Sequence, residues 1–141
     1  MSVSKLRENF LQMASNLDDN NLPHCVASLL NVQAQIKMLH WQTEKYAEHM
    51  AFDTFVDALR TFLDTFVESY QGKHGRIVLV GNQDTTFGLY NYEMLNEQYI
   101  DLICEIFCKM KESVPNDSEL LNIIDEGLSS VNKLKYLLTL E

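Results

Sequence analysis

Five side chains in the first half of the chain have the types and spacing of a transition-metal site. Imidazole nitrogens mixed with carboxylate oxygens suit a first-row transition metal better than calcium or magnesium. Four of the five form two pairs spaced four residues apart, which places both members of a pair on one face of a helix. The five residues are His40, His49, Asp53, Asp64 and Glu68. Their pattern predicts a metal site.

The two pairs cannot close around one metal ion within a single helix. On one helix the four residues fall within an arc of about 100°, but Asp53 and Asp64 are separated by roughly 16 Å along the axis. Metal–ligand bonds are about 2.0–2.2 Å long, so a second copy of the helix is needed. An antiparallel pair with a twofold axis near Leu59 would bring His49 and Asp53 of one chain opposite Asp64 and Glu68 of the other, in two equivalent shared sites. The alternative is an ordinary amphipathic helix with solvated acids.

The fifth residue, His40, lies one helix earlier, on the apolar stripe of that helix and next to Trp41. A core histidine satisfied by one hydrogen bond is the usual explanation for such a residue. The presence of two spaced ligand pairs on the next helix favours a ligand role for His40 instead. Because no Glu-x-x-His pair occurs on the helices, a di-iron site built within one subunit is disfavoured.

Composition limits the classes of protein to which the chain can belong. With 141 residues, 46% apolar and 22% charged, one folded domain spanning 1–141 is predicted and disorder is excluded. The apolar runs are too short for a membrane span. A net charge of −9 argues against nucleic-acid binding, which depends on Lys and Arg. The first ten residues lack the apolar stretch of a signal peptide, so we expect a cytoplasmic protein, in the host cytoplasm if the source is viral.

The cysteines are expected to be reduced and buried. Their number is odd, and none has the CxxC spacing of zinc sites. Cys104 and Cys108 lie one helical turn apart among apolar residues, where a thiol acts as a small hydrophobic group. The third is Cys25.

Helical periodicity accounts for most of the chain and predicts an all-α fold. A short N-terminal helix is predicted over residues 4–15, followed by four long helices over about 23–43, 47–70, 92–112 and 118–138. The connection between long helices two and three is long. This pattern predicts a four-helix bundle in which a crossover makes those two helices parallel.

The ends of the long helices have their own signals. Gly72 is the expected terminator of the second long helix, and Asp117 or Ser118 the expected cap of the fourth. Gly127 lies inside the fourth helix, where glycine is expected to cost about 1 kcal/mol relative to alanine.

The ligand pattern, with its neighbours, resembles the ferroxidase signature of the Dps-type miniferritins over about residues 36–72. The matching residues are His40-Trp41, Tyr46-x-x-His49-x-x-x-Asp53 and Asp64-x-x-x-Glu68. The resemblance implies a ferritin-like four-helix bundle, a small helix in the long connection, and usually a hollow dodecameric shell. It also implies an iron centre at a twofold dimer interface, with His40, His49 and Asp53 from one subunit and Asp64 and Glu68 from the other. Trp41 would be the aromatic residue beside the centre.

The chain also departs from the Dps pattern. The stretch from His40 to His49 is a few residues shorter and lacks the glycine of typical members, and the basic tail that many use on DNA is missing. The strings LHWQTEKYAEH and VESYQGKHGR also resemble small uncharacterised Dps-like proteins of bacteriophages and large viruses.

Two hypotheses of function follow. In the first, the chain is a ferroxidase that binds iron, with zinc or manganese as alternative metals, in a homodimer or a dodecamer. In the second, it is a non-enzymatic helical scaffold or host-interaction module with a vestigial or metal-binding-only site. The negative charge disfavours a third function, compaction of DNA.

Overall fold

The computed structural model describes residues 22–79 and 97–141, which form helices without a strand. The helices are α1 (Leu22–Gln42), α2 (Tyr46–His74), α3 (Glu97–Ser113) and α4 (Ser118–Leu137). These bounds confirm the predicted all-α fold and its four long helices. The predicted N-terminal helix, the start of long helix three at residue 92 and the small helix of the long connection lie outside the described residues. None of the four helices is long and apolar enough to cross a membrane.

The helices follow one another around the bundle in the order α1, α2, α4, α3. The main packing contacts join α1 with α2, α2 with α4, α4 with α3 and α3 with α1. Short turns join α1 to α2 and α3 to α4. Since α2 packs chiefly on α1 and α4, α2 and α3 lie across the bundle from each other.

Helix α2 supplies much of the core and positions the candidate ligands. Its buried side is largely aromatic and includes Phe52, Phe55, Leu59, Phe62 and Phe66. The helix is continuous over 29 residues. Both predicted ligand pairs therefore lie on one uninterrupted helix, as the axial-distance argument requires.

The end of α2 lies one turn beyond the predicted terminator. Gly72 is helical, and the helix ends at Gly75, whose φ of 92° favours glycine. The added turn is fixed by Lys73 and His74, whose side-chain nitrogens lie 3.0 and 3.1 Å from Oδ2 of Asp117. The prediction that Gly72 ends the helix was wrong because these partners lie far along the chain.

Asp117 is also the N-cap of α4, one of the two residues predicted for that position. Its Oδ1 accepts a hydrogen bond from the backbone N–H of Leu120 at 3.4 Å, which satisfies one of the free donors of the first turn. The ammonium of Lys73, bonded to the same carboxylate, lowers the pKa of Asp117. One side chain thus caps α4 and ties it to the end of α2.

Gly127 allows α4 to pack closely on two aromatic rings. A Cβ atom at this position would overlap the Phe107 ring and lie 3.0 Å from Cδ2 of Phe62. The rings of Phe62 and Phe107 themselves meet edge to face at 4.9 Å. The expected cost of about 1 kcal/mol in the helix stays a prediction, and the missing side chain makes room for the core.

Helices α1 and α3 are joined by a buried polar chain. The Tyr99 hydroxyl donates to Oε1 of Gln35 at 3.0 Å, and Nε2 of Gln35 donates to Oδ1 of Asn31 at 3.3 Å. Burial raises the pKa of Tyr99, so its hydroxyl stays a donor. Because hydrogen bonds depend on direction, this chain fixes the register of the two helices more narrowly than apolar contact does.

The three cysteines differ in exposure. Cys25 is buried, and burial raises the pKa of its thiol to about 12, as expected for an inert core residue. Cys104 is half-buried, and Cys108 is exposed. The prediction of buried thiols is confirmed for Cys25 and was wrong for Cys108, which faces away from the core.

Candidate metal site at the turn between α1 and α2

Two histidines bridge the end of α1 and the start of α2. The rings of His40 and His49 are stacked, with centroids 3.8 Å apart and planes inclined by 17°. The Nδ1 atom of His40 lies 2.8 Å from the backbone oxygen of His49, and the Nδ1 atom of His49 lies 2.8 Å from the backbone oxygen of His40. Each residue thus binds the backbone of the other.

The reciprocal bonds select one tautomer for each neutral ring. A carbonyl oxygen only accepts, so each Nδ1 must have the proton and donate it. In a neutral ring the lone pair then lies on Nε2, the nitrogen that remains available to a metal ion. Histidine ligands in proteins are commonly oriented by such a bond from the second ring nitrogen. The arrangement therefore suits both histidines to metal binding.

Local sequence explains why the turn holds this shape. The last four backbone carbonyls of a helix lack helical partners. The imidazole of His49 provides a hydrogen-bond donor to one of them, the carbonyl of His40. Thr43 is the first of the three residues between the helices. Its hydroxyl accepts a hydrogen bond from the Lys45 backbone N–H at 3.1 Å and donates one to the Glu48 carboxylate at 3.0 Å. The short link between the histidines therefore brings them together.

Asp53 follows His49 by one turn and lies beside both His40 and a lysine. Its Oδ1 lies 4.0 Å from Nε2 of His40 and 3.7 Å from Nζ of Lys37. The Asp53 side chain is half-exposed at 43%, whereas that of His40 is exposed at only 10%. The three ligands predicted for one subunit therefore lie close together, with an oxygen donor at the rim of a more buried imidazole.

The remaining two predicted ligands lie farther along α2. Asp64 and Glu68 are both exposed, and neither forms an ion pair with a residue in the described ranges. Across residues 22–79 and 97–141, no group of three or more His, Cys, Asp or Glu side chains is placed to hold a metal ion. One copy of the chain thus brings three of the five residues near one another and leaves the other two facing solvent.

Large apolar side chains are exposed around the same turn. Trp41 is 68% exposed, Tyr46 77% and Met50 44%. The Trp41 ring also has Nζ of Lys37 5.9 Å from its centroid. Exposed apolar groups that cluster in this way are typical of interaction surfaces.

Residues 40–138 match the family described as "Family of unknown function (DUF5856)". The chain belongs to this family. The match begins at the first predicted ligand and includes the turn, α2, α3 and α4. The family description names no activity.

The chain is also similar to a phage protein. Over 113 residues it is 26% identical to a protein of Enterobacteria phage T4 described as "Uncharacterized 14.6 kDa protein in mobD-ri intergenic region", across 80% of this chain and 84% of the phage protein. No solved structure matches the chain. A similarity to one phage protein is thereby shown, and the resemblance to Dps-type miniferritins stays a prediction.

Sequence reasoning missed one residue of the site. Lys37 lies three positions before His40, so the two side chains share one side of α1. That spacing was a usable signal, but an isolated lysine on a helix is usually solvated. Its contact with Asp53 depends on how α1 packs against α2.

Proposed function

We propose that the protein binds Fe(II) at a site shared between two copies of the chain and promotes its oxidation, as the Dps-type miniferritins do. The observation that supports this most directly is the reciprocal pair of His40 and His49. Both rings present Nε2 as the free nitrogen, and Asp53 adds an anionic oxygen beside His40. Nitrogen and oxygen donors in this combination suit iron, zinc or manganese.

Each predicted ligand has a role in this proposal. His40 and His49 supply neutral nitrogen atoms, and Asp53 supplies a carboxylate. A second copy supplies Glu68 as a further carboxylate and Asp64 either as a direct ligand or as a group that orients a histidine. Anionic oxygens favour the ferric product. With peroxide as oxidant, two ferrous ions each lose one electron, and one H₂O₂ takes up two electrons and two protons to give two waters.

The need for a second copy follows from the length of α2. Asp53 and Asp64 lie on the same unbroken helix, roughly 16 Å apart along its axis. The exposed carboxylates of Asp64 and Glu68 and the exposed apolar groups around the turn support an antiparallel pairing of α2 with itself. The order of helices around the bundle is the one that a ferritin-like fold with a crossover between α2 and α3 would give.

A scaffold without enzymatic activity is the second candidate. It is favoured by the ion pair between Lys37 and Asp53, because an ammonium already neutralises one of the proposed ligands. In that case the exposed face of α2 would serve for association alone, and the histidine pair would only stabilise the turn.

Iron oxidation distinguishes the two candidates. Anaerobic apoprotein is mixed with Fe(II), peroxide or oxygen is added, and ferric absorbance is followed. We expect saturable oxidation by the wild type and its loss in His49→Ala and Asp64→Asn. Asp57→Asn is the matched control, since Asp57 is an exposed acid of α2 without a place in the site. Equal rates in all four proteins would refute the ferroxidase proposal.

Mixing inactive variants tests whether the site is shared. A heterodimer of the His49→Ala and Asp64→Asn chains has one site with both residues intact and one site that lacks both. After unfolding and joint refolding, half of the dimers are mixed, so about one quarter of wild-type activity should return. Light scattering on the same samples gives the oligomer size. No recovery in a confirmed mixed dimer would show that the site is not shared.

A further inference from the structure

We infer that Lys37 occupies the cation position beside Asp53 and competes with a metal ion for that carboxylate. This inference rests on the proposed metal site and concerns its regulation. The Lys37 ammonium and the His40 Nε2 atom approach the same oxygen, Oδ1 of Asp53, at 3.7 and 4.0 Å. A metal ion held by His40 and Asp53 would bind the same carboxylate oxygen that the ammonium now approaches.

Lys37 has a second interaction partner besides Asp53. Its Nζ lies 5.9 Å from the centroid of the exposed Trp41 ring, and an ammonium near an aromatic face is attracted to it. The Lys37 and Asp53 side chains are 38% and 43% exposed, so neither is fixed by core packing. Lys37 can therefore leave Asp53 and stay over Trp41 without entering the core.

Competition of this kind lowers the affinity of the site for metal. A divalent ion must displace the ammonium and then bind with a positive charge nearby, which weakens the binding of every divalent ion. Ions that gain strongly from imidazole nitrogen can offset this repulsion, whereas magnesium and calcium, which prefer oxygen, gain little from His40 and His49. Lys37 is thus a residue that limits metal affinity without being a ligand.

Metal affinity tests the inference separately from oxidation. Co(II) is the probe, and its dissociation constant is measured by anaerobic equilibrium dialysis for the wild type, Lys37→Met, Lys37→Arg and Lys45→Met. We expect Lys37→Met to bind Co(II) about tenfold more tightly, because a nearby positive charge is lost. Lys37→Arg keeps that charge and should stay close to wild type. Lys45→Met is the matched control, since Lys45 pairs with Glu48 at 3.7 Å in the same turn.

The outcomes separate this inference from the proposed function. If the wild type binds Co(II), His49→Ala does not, and Lys37→Met binds as the wild type does, the competition is refuted while the metal site stands. Tighter binding in Lys45→Met as well would reduce the effect to net charge and would also refute it. If neither the wild type nor Lys37→Met binds Co(II), the metal site and the competition both fail.

A metal-free measurement checks the ion pair itself. The unfolding of Lys37→Met, Asp53→Asn and the double variant is compared with that of the wild-type apoprotein. We expect the two single changes to be non-additive, because each removes the same contact. Strict additivity would show that Lys37 and Asp53 do not interact.

Discussion

Replacing Gly127 with alanine tests how tightly α4 packs on the core. The new Cβ atom would overlap the ring of Phe107 and lie 3.0 Å from Cδ2 of Phe62. Both rings are buried, at 0% and 5% exposure. Because they also contact each other at 4.9 Å, neither ring can turn away freely from the added methyl group.

Two opposing terms determine the size of the effect. Alanine is favoured over glycine inside a helix by about 1 kcal/mol. Forcing a methyl group into a packed core usually costs about 1–3 kcal/mol. The second term is the larger, so we expect Gly127→Ala to lower the free energy of unfolding by about 1 kcal/mol, which lowers Tm by roughly 4 °C in a domain of this size.

Gly72→Ala provides the matched control. Gly72 also lies inside a helix, but a Cβ atom there would have no atom within 4 Å apart from its chain neighbours and the backbone of its own helix. Only the helix-propensity term applies, so this variant should gain up to about 1 kcal/mol. Urea and thermal unfolding followed by far-ultraviolet circular dichroism measure both variants. If Gly127→Ala is stabilised as much as Gly72→Ala, the close packing of α4 on the two rings is refuted.

Acid unfolding and thiol labelling test two further features. The Lys73 ammonium lowers the pKa of Asp117, so the resulting stabilisation is complete above about pH 4 and is lost as the pH falls through the lowered pKa. Asp117→Asn keeps a cap acceptor but loses the charge that faces Lys73 and His74; we expect its stability, followed by circular dichroism, to depend less on pH below about 4. An unchanged pH dependence would contradict the assigned role. In the folded protein Cys108 should react with a thiol reagent, while Cys25, whose pKa burial raises to about 12, should react only on unfolding. Mass spectrometry measures the labelling of each thiol, and rapid labelling of Cys25 in the folded protein would contradict its burial in the core.

The helices could be predicted from sequence because their signals are local. Apolar residues at helical spacing placed α1, α2 and α4 within a few positions of their observed bounds, and Asp117 was one of the two residues predicted as the cap of α4. The aromatic core face of α2 follows from the same periodicity. These features depend on neighbours within one or two turns, which a single sequence displays.

The errors, and the packing role of Gly127 that was not predicted, concern residues whose surroundings come from distant parts of the chain. Gly72 and Gly75 are equally good terminators by local rules, and the choice between them depends on an aspartate 43 positions beyond His74. Gly127 makes room for rings on two other helices. Helical spacing placed Cys108 among apolar neighbours but did not show that the Cys108 side chain is exposed to solvent. No local pattern contains this information.

The candidate residues of the site could be chosen from the sequence, but the contacts between them could not be predicted. Spacing indicated which residue types could bind a metal and placed four of the five on one face of α2. The stacking of His40 on His49 and the hydrogen bonds between them required the shape of a three-residue turn, which spacing does not determine. The contact of Lys37 with Asp53 likewise required the packing of α1 against α2.

The reciprocal bonds between His40 and His49 have a consequence for assembly. They close a loop of only nine positions, and the entropy lost in closing so short a loop is small. The histidine half of the proposed shared site is therefore already ordered in one chain. If the proposed site forms, binding resembles the docking of two preformed halves, in which little free energy is spent on ordering side chains. A change in the length of the turn would then alter the proposed metal chemistry without replacing any of the proposed ligands.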